Sequence, residues 1–149
     1  TPSHPGKPDA ETIVLISTLT AINRAGLVTV GSQPGHNKLP GHSMQRAYLC
    51  AFGDETIVAK MSTALIDTEL VCLIIPPGAE GDGSIVVTVG DGEPFTYLGR
   101  YGPDKIDFHC NGMPSLDAAL NNAWQVQIFY PVWGRNEVLW RTVSQSLQA

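Results

Sequence analysis

The sequence predicts a single α+β domain, with a mixed or mainly antiparallel sheet and about four helices packed on it. Three observations carry that expectation. Segments with apolar residues at helical spacing alternate with short apolar runs bounded by Pro and Gly. Adjacent strand-like runs outnumber strand–helix–strand units, which favours antiparallel neighbours over a doubly wound parallel sheet. A length of 149 residues fits one domain with a core of its own. No fixed-period repeat is present; each half could form a small α/β layer, but at this length one sheet is expected.

Residues 1–8 (TPSHPGKP) read as an extended N-terminal arm, and residues 9–149 as the domain. Asp9 is placed to cap a first helix, with Glu11 in its first turn and Arg24 in its last. Leu15, Leu19 and Ile22 supply its apolar face, and Gly26 sits where a C′ glycine belongs. Leu27 to Gly31 reads as a strand, followed by a long polar loop from Ser32 to Met44. In the run from Gln45 to Gly53, Ala47, Leu49 and Ala51 fall on one face and Tyr48, Cys50 and Phe52 on the other. Both sets are apolar, which predicts a strand covered on both sides. Asp54 caps a second predicted helix reaching about Ile66, with Ile57, Met61 and Leu65 along one face. Leu70 to Ile75 is a wholly apolar strand ended by Pro76-Pro77-Gly78. Ser84–Gly90 and Phe95–Tyr101 flank a turn at Asp91–Pro94 and read as a hairpin. A short strand at Ile106–Cys110 and a helix from Ser115 to about Ala123 follow. Trp124, Val126, Ile128 and Tyr130 then alternate along a further strand. From Asn136 onward, Leu139, Val143 and Leu147 define an amphipathic last helix.

Composition narrows the function classes. The net charge is −5, and the basic residues are scattered singly, without the Lys/Arg cluster that binding to nucleic acid requires. Cys50, Cys72 and Cys110 are an odd number without a C-x-x-C pair, which points to a reduced, cytoplasmic protein. The longest apolar run, Leu70 to Ile75, is far short of the roughly 20 residues that span a bilayer, so no membrane partner is expected.

The candidate site is the loop Gly31-Ser32-Gln33-Pro34-Gly35-His36. Pro34 and Gly35 fit the central positions of a type II turn, which would hold Ser32, Gln33 and His36 at a strand end. Ordinary turn chemistry explains the same Pro and Gly, so a plain surface connection is the competing reading. Asn23-Arg24-Ala25-Gly26-Leu27-Val28-Thr29, then Ser32-Gln33-Pro34-Gly35, then Gln45-Arg46-Ala47 resembles an uncharacterised bacterial family of actinomycete type. That family carries an "NRAG-x-VT…SQPG…QRA" signature. The resemblance covers about Glu11 to Pro76 and departs at Leu27, where an aromatic residue is expected. It implies no activity and transfers no catalytic residue. It does imply that Ser32, Gln33, Pro34, Gly35, Gln45 and Arg46 form one unit.

Other chemistries are weaker. Ser32 does not sit in the G-x-S-x-G elbow of a hydrolase, although His36 or His42 remains a candidate base for it. Cys110 beside His109 is a candidate reactive thiol, but neighbours on a strand point to opposite faces; Cys50 and Cys72 read as core. The histidines lack metal-ligand spacing, and the Gly-rich turns match no phosphate or dinucleotide fingerprint, so no metal or cofactor is expected. The acidic pairs fit caps and turns, and the tryptophans fit core anchors. Two functions follow as expectations. One is a site for a small polar or anionic ligand, possible as an enzyme: Gln33 and Gln45 as hydrogen-bonding groups, Arg46 as the anion partner, and His36, Ser32 and Cys110 as catalytic candidates. The other is a non-catalytic module that recognises a protein partner.

Overall fold

In a computed structural model, which describes residues 13–38, 43–79, 83–99 and 113–148, the chain folds as α+β. The helices among the described residues are α1 (Ile16–Arg24), α2 (Glu55–Leu65), α3 (Pro114–Asn121) and α4 (Glu137–Gln148). The strands are β1 (Val28–Gln33), β2 (His36–Lys38), β3 (Ser43–Gln45), β4 (Tyr48–Gly53), β5 (Val71–Ile75), β6 (Ile85–Gly90), β7 (Glu93–Leu98) and β8 (Trp124–Phe129). The arm at 1–8, the Asp9 cap, the strand expected at 106–110, and His42, His109 and Cys110 lie outside the described residues.

The one expected sheet is two. An inner sheet runs β1-β4-β8-β5 and an outer sheet β2-β3-β6-β7, and every pair is antiparallel. The cause is local. The chain leaves the inner sheet at Pro34-Gly35, makes the β2–β3 pair, and returns through Arg46-Ala47 into β4. What reads in sequence as a long polar loop is therefore a hairpin bent across two sheets. Three-residue strands composed of HNK and SMQ lack the apolar alternation that marks a strand.

The inner sheet is covered on both faces, as the β4 pattern predicts. Leu49 and Ala51 of β4, with Val126 and Ile128 of β8, pack against Ile22, Val58, Met61, Leu139 and Val143 from α1, α2 and α4. On the opposite face, Cys50 and Phe129 meet Val87 and Leu98 of the outer sheet, while Phe52 meets Leu120 of α3. The order is thus helices, inner sheet, then outer sheet and α3. Gln127 is buried on that second face, where its Oε1 accepts from the Gly99 amide at 2.7 Å. A buried amide without such a partner would cost about 1–3 kcal/mol.

Local chemistry sets the element ends. Asp54 caps α2, its Oδ1 accepting from the Ile57 amide at 2.8 Å. Gly26 follows α1 at φ +106°, the left-handed conformation expected of a C′ residue. The β6–β7 turn contracts to two residues, Asp91 and Gly92, at φ 50° and 80°; positive φ at both centres is the type I′ geometry that matches strand twist. Ser115 does not cap α3. Met113 occupies the cap position without a side-chain bond, and Pro114 starts the helix, where its missing N–H is harmless. No helix among the described residues is long and apolar enough to cross a membrane.

Candidate functional site

Pro34, Gly35, Gln45 and Arg46 meet at the bend between the sheets. Register pairs Gln33 with Tyr48 in the inner sheet and His36 with Gln45 in the outer one, so Pro34-Gly35 and Arg46-Ala47 lie side by side at the crossing. Strands that change sheets form such corners, and each leaves backbone groups without ladder partners.

The hydrogen bonds at the corner answer that need. Gln45, 6% exposed, donates from Nε2 to the Pro34 carbonyl at 2.6 Å, and its Oε1 accepts from the Thr88 hydroxyl at 3.0 Å. The Gln45 carbonyl accepts from the Gly134 amide at 3.1 Å, and the Ala47 carbonyl from the Tyr130 amide at 3.0 Å. The Gly35 amide donates to Asn136 Oδ1 at 2.9 Å, and the same oxygen accepts from Trp140 Nε1 at 2.9 Å. Asn136 immediately precedes α4, and so ties the corner to that helix. Gly35 is obligatory here, because a Cβ would overlap the Arg135 carbonyl oxygen and lie 3.2 Å from the Ala47 nitrogen.

Arg46 spans the corner. Its Nε donates to the Pro131 carbonyl just past β8, and its Nη1 to the Val86 carbonyl in β6, both at 2.9 Å. One guanidinium thus joins the two sheets. Its carbon lies 4.3 Å from the Trp133 ring centroid and 5.8 Å from that of Phe129, a stacked arrangement suited to Arg rather than Lys. Burial lowers its pKa from the usual value. Among the described residues no carboxylate pairs with it, and Nη2 donates to no described group.

The remaining candidates divide. Ser32 and Gln33 are half-buried at the end of β1, while His36 opens β2 in the other sheet. The Ser32 hydroxyl makes no hydrogen bond to a described residue, His36 included. Cys50 and Cys72 are free thiols within strands, pushed by burial up to about 12 and about 11, which keeps them protonated and unreactive at neutral pH. Tyr48 rises to about 12, through burial first and the neighbouring Cys50 second. Among the described residues no three His, Cys, Asp or Glu side chains gather to hold a metal.

Sequence reasoning missed Asn136 and Gly134, and it read Trp133 as a core anchor and not as the partner of Arg46. The one available signal was Asn136 just ahead of an amphipathic helix, a capping position. A separate open groove of about 630 Å³ lies between α1 and α4, lined by Thr18, Arg24, Ser144 and Leu147 among others. None of the candidate residues lines it.

A family model described as "Domain of unknown function (DUF6919)" matches residues 1–149. The chain belongs to that family. Comparison with curated proteins finds no match. In this DUF6919 member, Ser32-Gln33-Pro34-Gly35 and Gln45-Arg46-Ala47 are the two passes of one bent hairpin.

Proposed function

We propose that the domain is a non-catalytic binding module whose corner takes a small anionic ligand at Arg46. The observation that carries this reading is a guanidinium held in place by two carbonyls and an aromatic ring, with Nη2 uncommitted and no carboxylate partner among the described residues. A fixed, partly desolvated fork of this kind suits a carboxylate or phosphate. Gln45 serves the site by fixing the turn rather than by touching ligand, since both ends of its amide are engaged. Ser32 and Gln33 at the end of β1 and His36 at the start of β2 bracket the Pro34-Gly35 turn that Gln45 holds. The cytoplasmic location, the actinomycete-type bacterial source and the sequence signature belong to the same proposal; the free thiols Cys50 and Cys72 support the first of these.

The test is thermal denaturation of the domain with inorganic phosphate, pyrophosphate and citrate, repeated on Arg46→Met, which keeps the stem and removes the fork. An anion at about 100 times its dissociation constant adds about 2.7 kcal/mol to the wild type and nothing to the variant. If no anion stabilises the wild type and Arg46→Met only lowers stability, Arg46 is a staple between sheets and the reading fails.

A second reading, recognition of a protein partner, is favoured by a separate observation. Phe95 and Tyr97 on β7 are 79% and 49% exposed, an aromatic pair facing solvent on a strand at the edge of the outer sheet.

A further inference from the structure

The two sheets have four edge strands among the described residues, and three of them carry a device against pairing with another chain. β1 is bulged, its register with β4 skipping Val30 between Thr29 and Gly31. β7 begins with Glu93 and Pro94, and its register with β6 skips Phe95. β2 is three residues long and ends on Lys38. Bulges, prolines, short length and lysines are the means by which soluble proteins blunt an open edge.

β5 has none of them. Val71-Cys72-Leu73-Ile74-Ile75 holds no charge, no Pro and no Gly, and pairs with β8 in unbroken register. Among the described residues its only strand partner is β8, so its outer row of amides and carbonyls faces away from the sheet. Val71, Cys72 and Leu73 are half-buried, and Ile74 is 37% exposed.

We infer that β5 pairs with β5 of a second copy of this chain, antiparallel about a twofold axis at Leu73, joining two inner sheets into one. The strand is self-complementary in that register. Leu73 meets its own copy, Val71 meets Ile75, and Cys72 meets Ile74. Every cross-strand pair is thus apolar and no like charges face each other. An isologous contact of this kind closes on itself, so an edge that would invite open-ended aggregation in a lone chain ends at a dimer. Each copy carries −5 overall, so long-range repulsion is screened by salt, and association tightens as salt rises.

The test is sedimentation velocity over roughly micromolar to hundreds of micromolar protein. It is made on the wild type, on Ile74→Lys, which places a charge on the β5 edge, and on Val28→Lys, which does the same on β1. The expected result is a wild-type dimer, dissociation at least about tenfold easier in Ile74→Lys, and no change in Val28→Lys. Hydrogen exchange of the wild type covers the case in which Ile74→Lys does not fold: β5 amides gain protection as protein concentration rises, and β1 amides do not. A wild type that stays monomeric throughout overturns the inference. So does a dimer that Val28→Lys weakens as much as Ile74→Lys, or β5 exchange that ignores concentration.

Discussion

The inner and outer sheets are built from the same antiparallel ladders, yet they occupy opposite ends of the burial scale. In β8 five consecutive residues, from Gln125 to Phe129, are buried; in β7 the first three are exposed and only Leu98 is buried. The difference lies in what covers each face. Helices lie over one side of the inner sheet, and the outer sheet and α3 over the other. The outer sheet has the inner one behind it, and Phe95 and Tyr97 point into solvent. One sheet is therefore framework and the other a presented surface, and the corner at Pro34-Gly35 and Arg46-Ala47 is where framework becomes surface.

The sharpest way to break that division is at the corner itself. Gly35→Ala should destabilise the domain by more than about 4 kcal/mol, read by chemical denaturation, because the added methyl overlaps the Arg135 carbonyl and something in the backbone must move. The contrast between the sheets is tested by a matched pair. Leu49→Ala, fully buried in β4, should cost about 2–5 kcal/mol. Phe95→Ala on β7 should change stability by no more than about 0.5 kcal/mol. Equal losses would mean that the outer sheet is as much framework as the inner.

Asn136→Ala removes one acceptor and strands two donors, the Gly35 amide and the Trp140 indole, at an expected cost of about 1–3 kcal/mol. A further effect appears only at alkaline pH. Burial holds the Cys50 thiol at about 12 against an ordinary 9.0, so the folded state binds its proton more tightly than the unfolded chain. The stability it contributes is complete below about pH 9 and is withdrawn as pH rises toward 12. The slope is up to about 1.4 kcal/mol per pH unit. Denaturation curves from neutral to alkaline pH should show that decline, and Cys50→Ala should make it shallower, leaving the part that Cys72 and Tyr48 contribute.

The inner sheet was legible in sequence for a physical reason. A strand buried on both faces is apolar wherever a polar side chain has no partner inside, and the unbroken apolar run from Tyr48 to Phe52 announces this without reference to any other segment. The same holds for the Asp54 cap and Gly26, whose roles are settled within a few residues. The corner was half legible. Pro34, Gly35, Gln45 and Arg46 stand out as polar or turn residues beside apolar strands, but their partners do not. Asn136 lies 101 residues beyond Gly35, and Pro131 lies 85 beyond Arg46. A hydrogen bond across that separation leaves no trace in spacing. The outer strands β2 and β3 were illegible because their stability comes from pairing and from Gln45 and Thr88, not from an apolar face of their own.

The place of β8 in the inner sheet has a consequence for synthesis. It lies between β4 and β5, although it follows both by many residues, and the corner is sealed by Pro131, Gly134 and Asn136 just beyond it. A nascent chain halted before Trp124 therefore holds β4 and β5 without the strand that separates them. Contacts of such sequence separation form slowly, and unpaired apolar strands are the ones that misassociate while they wait. The emerging chain is most exposed to error until β8 leaves the ribosome, and closure of the β4–β5 gap is the step a chaperone would have to guard.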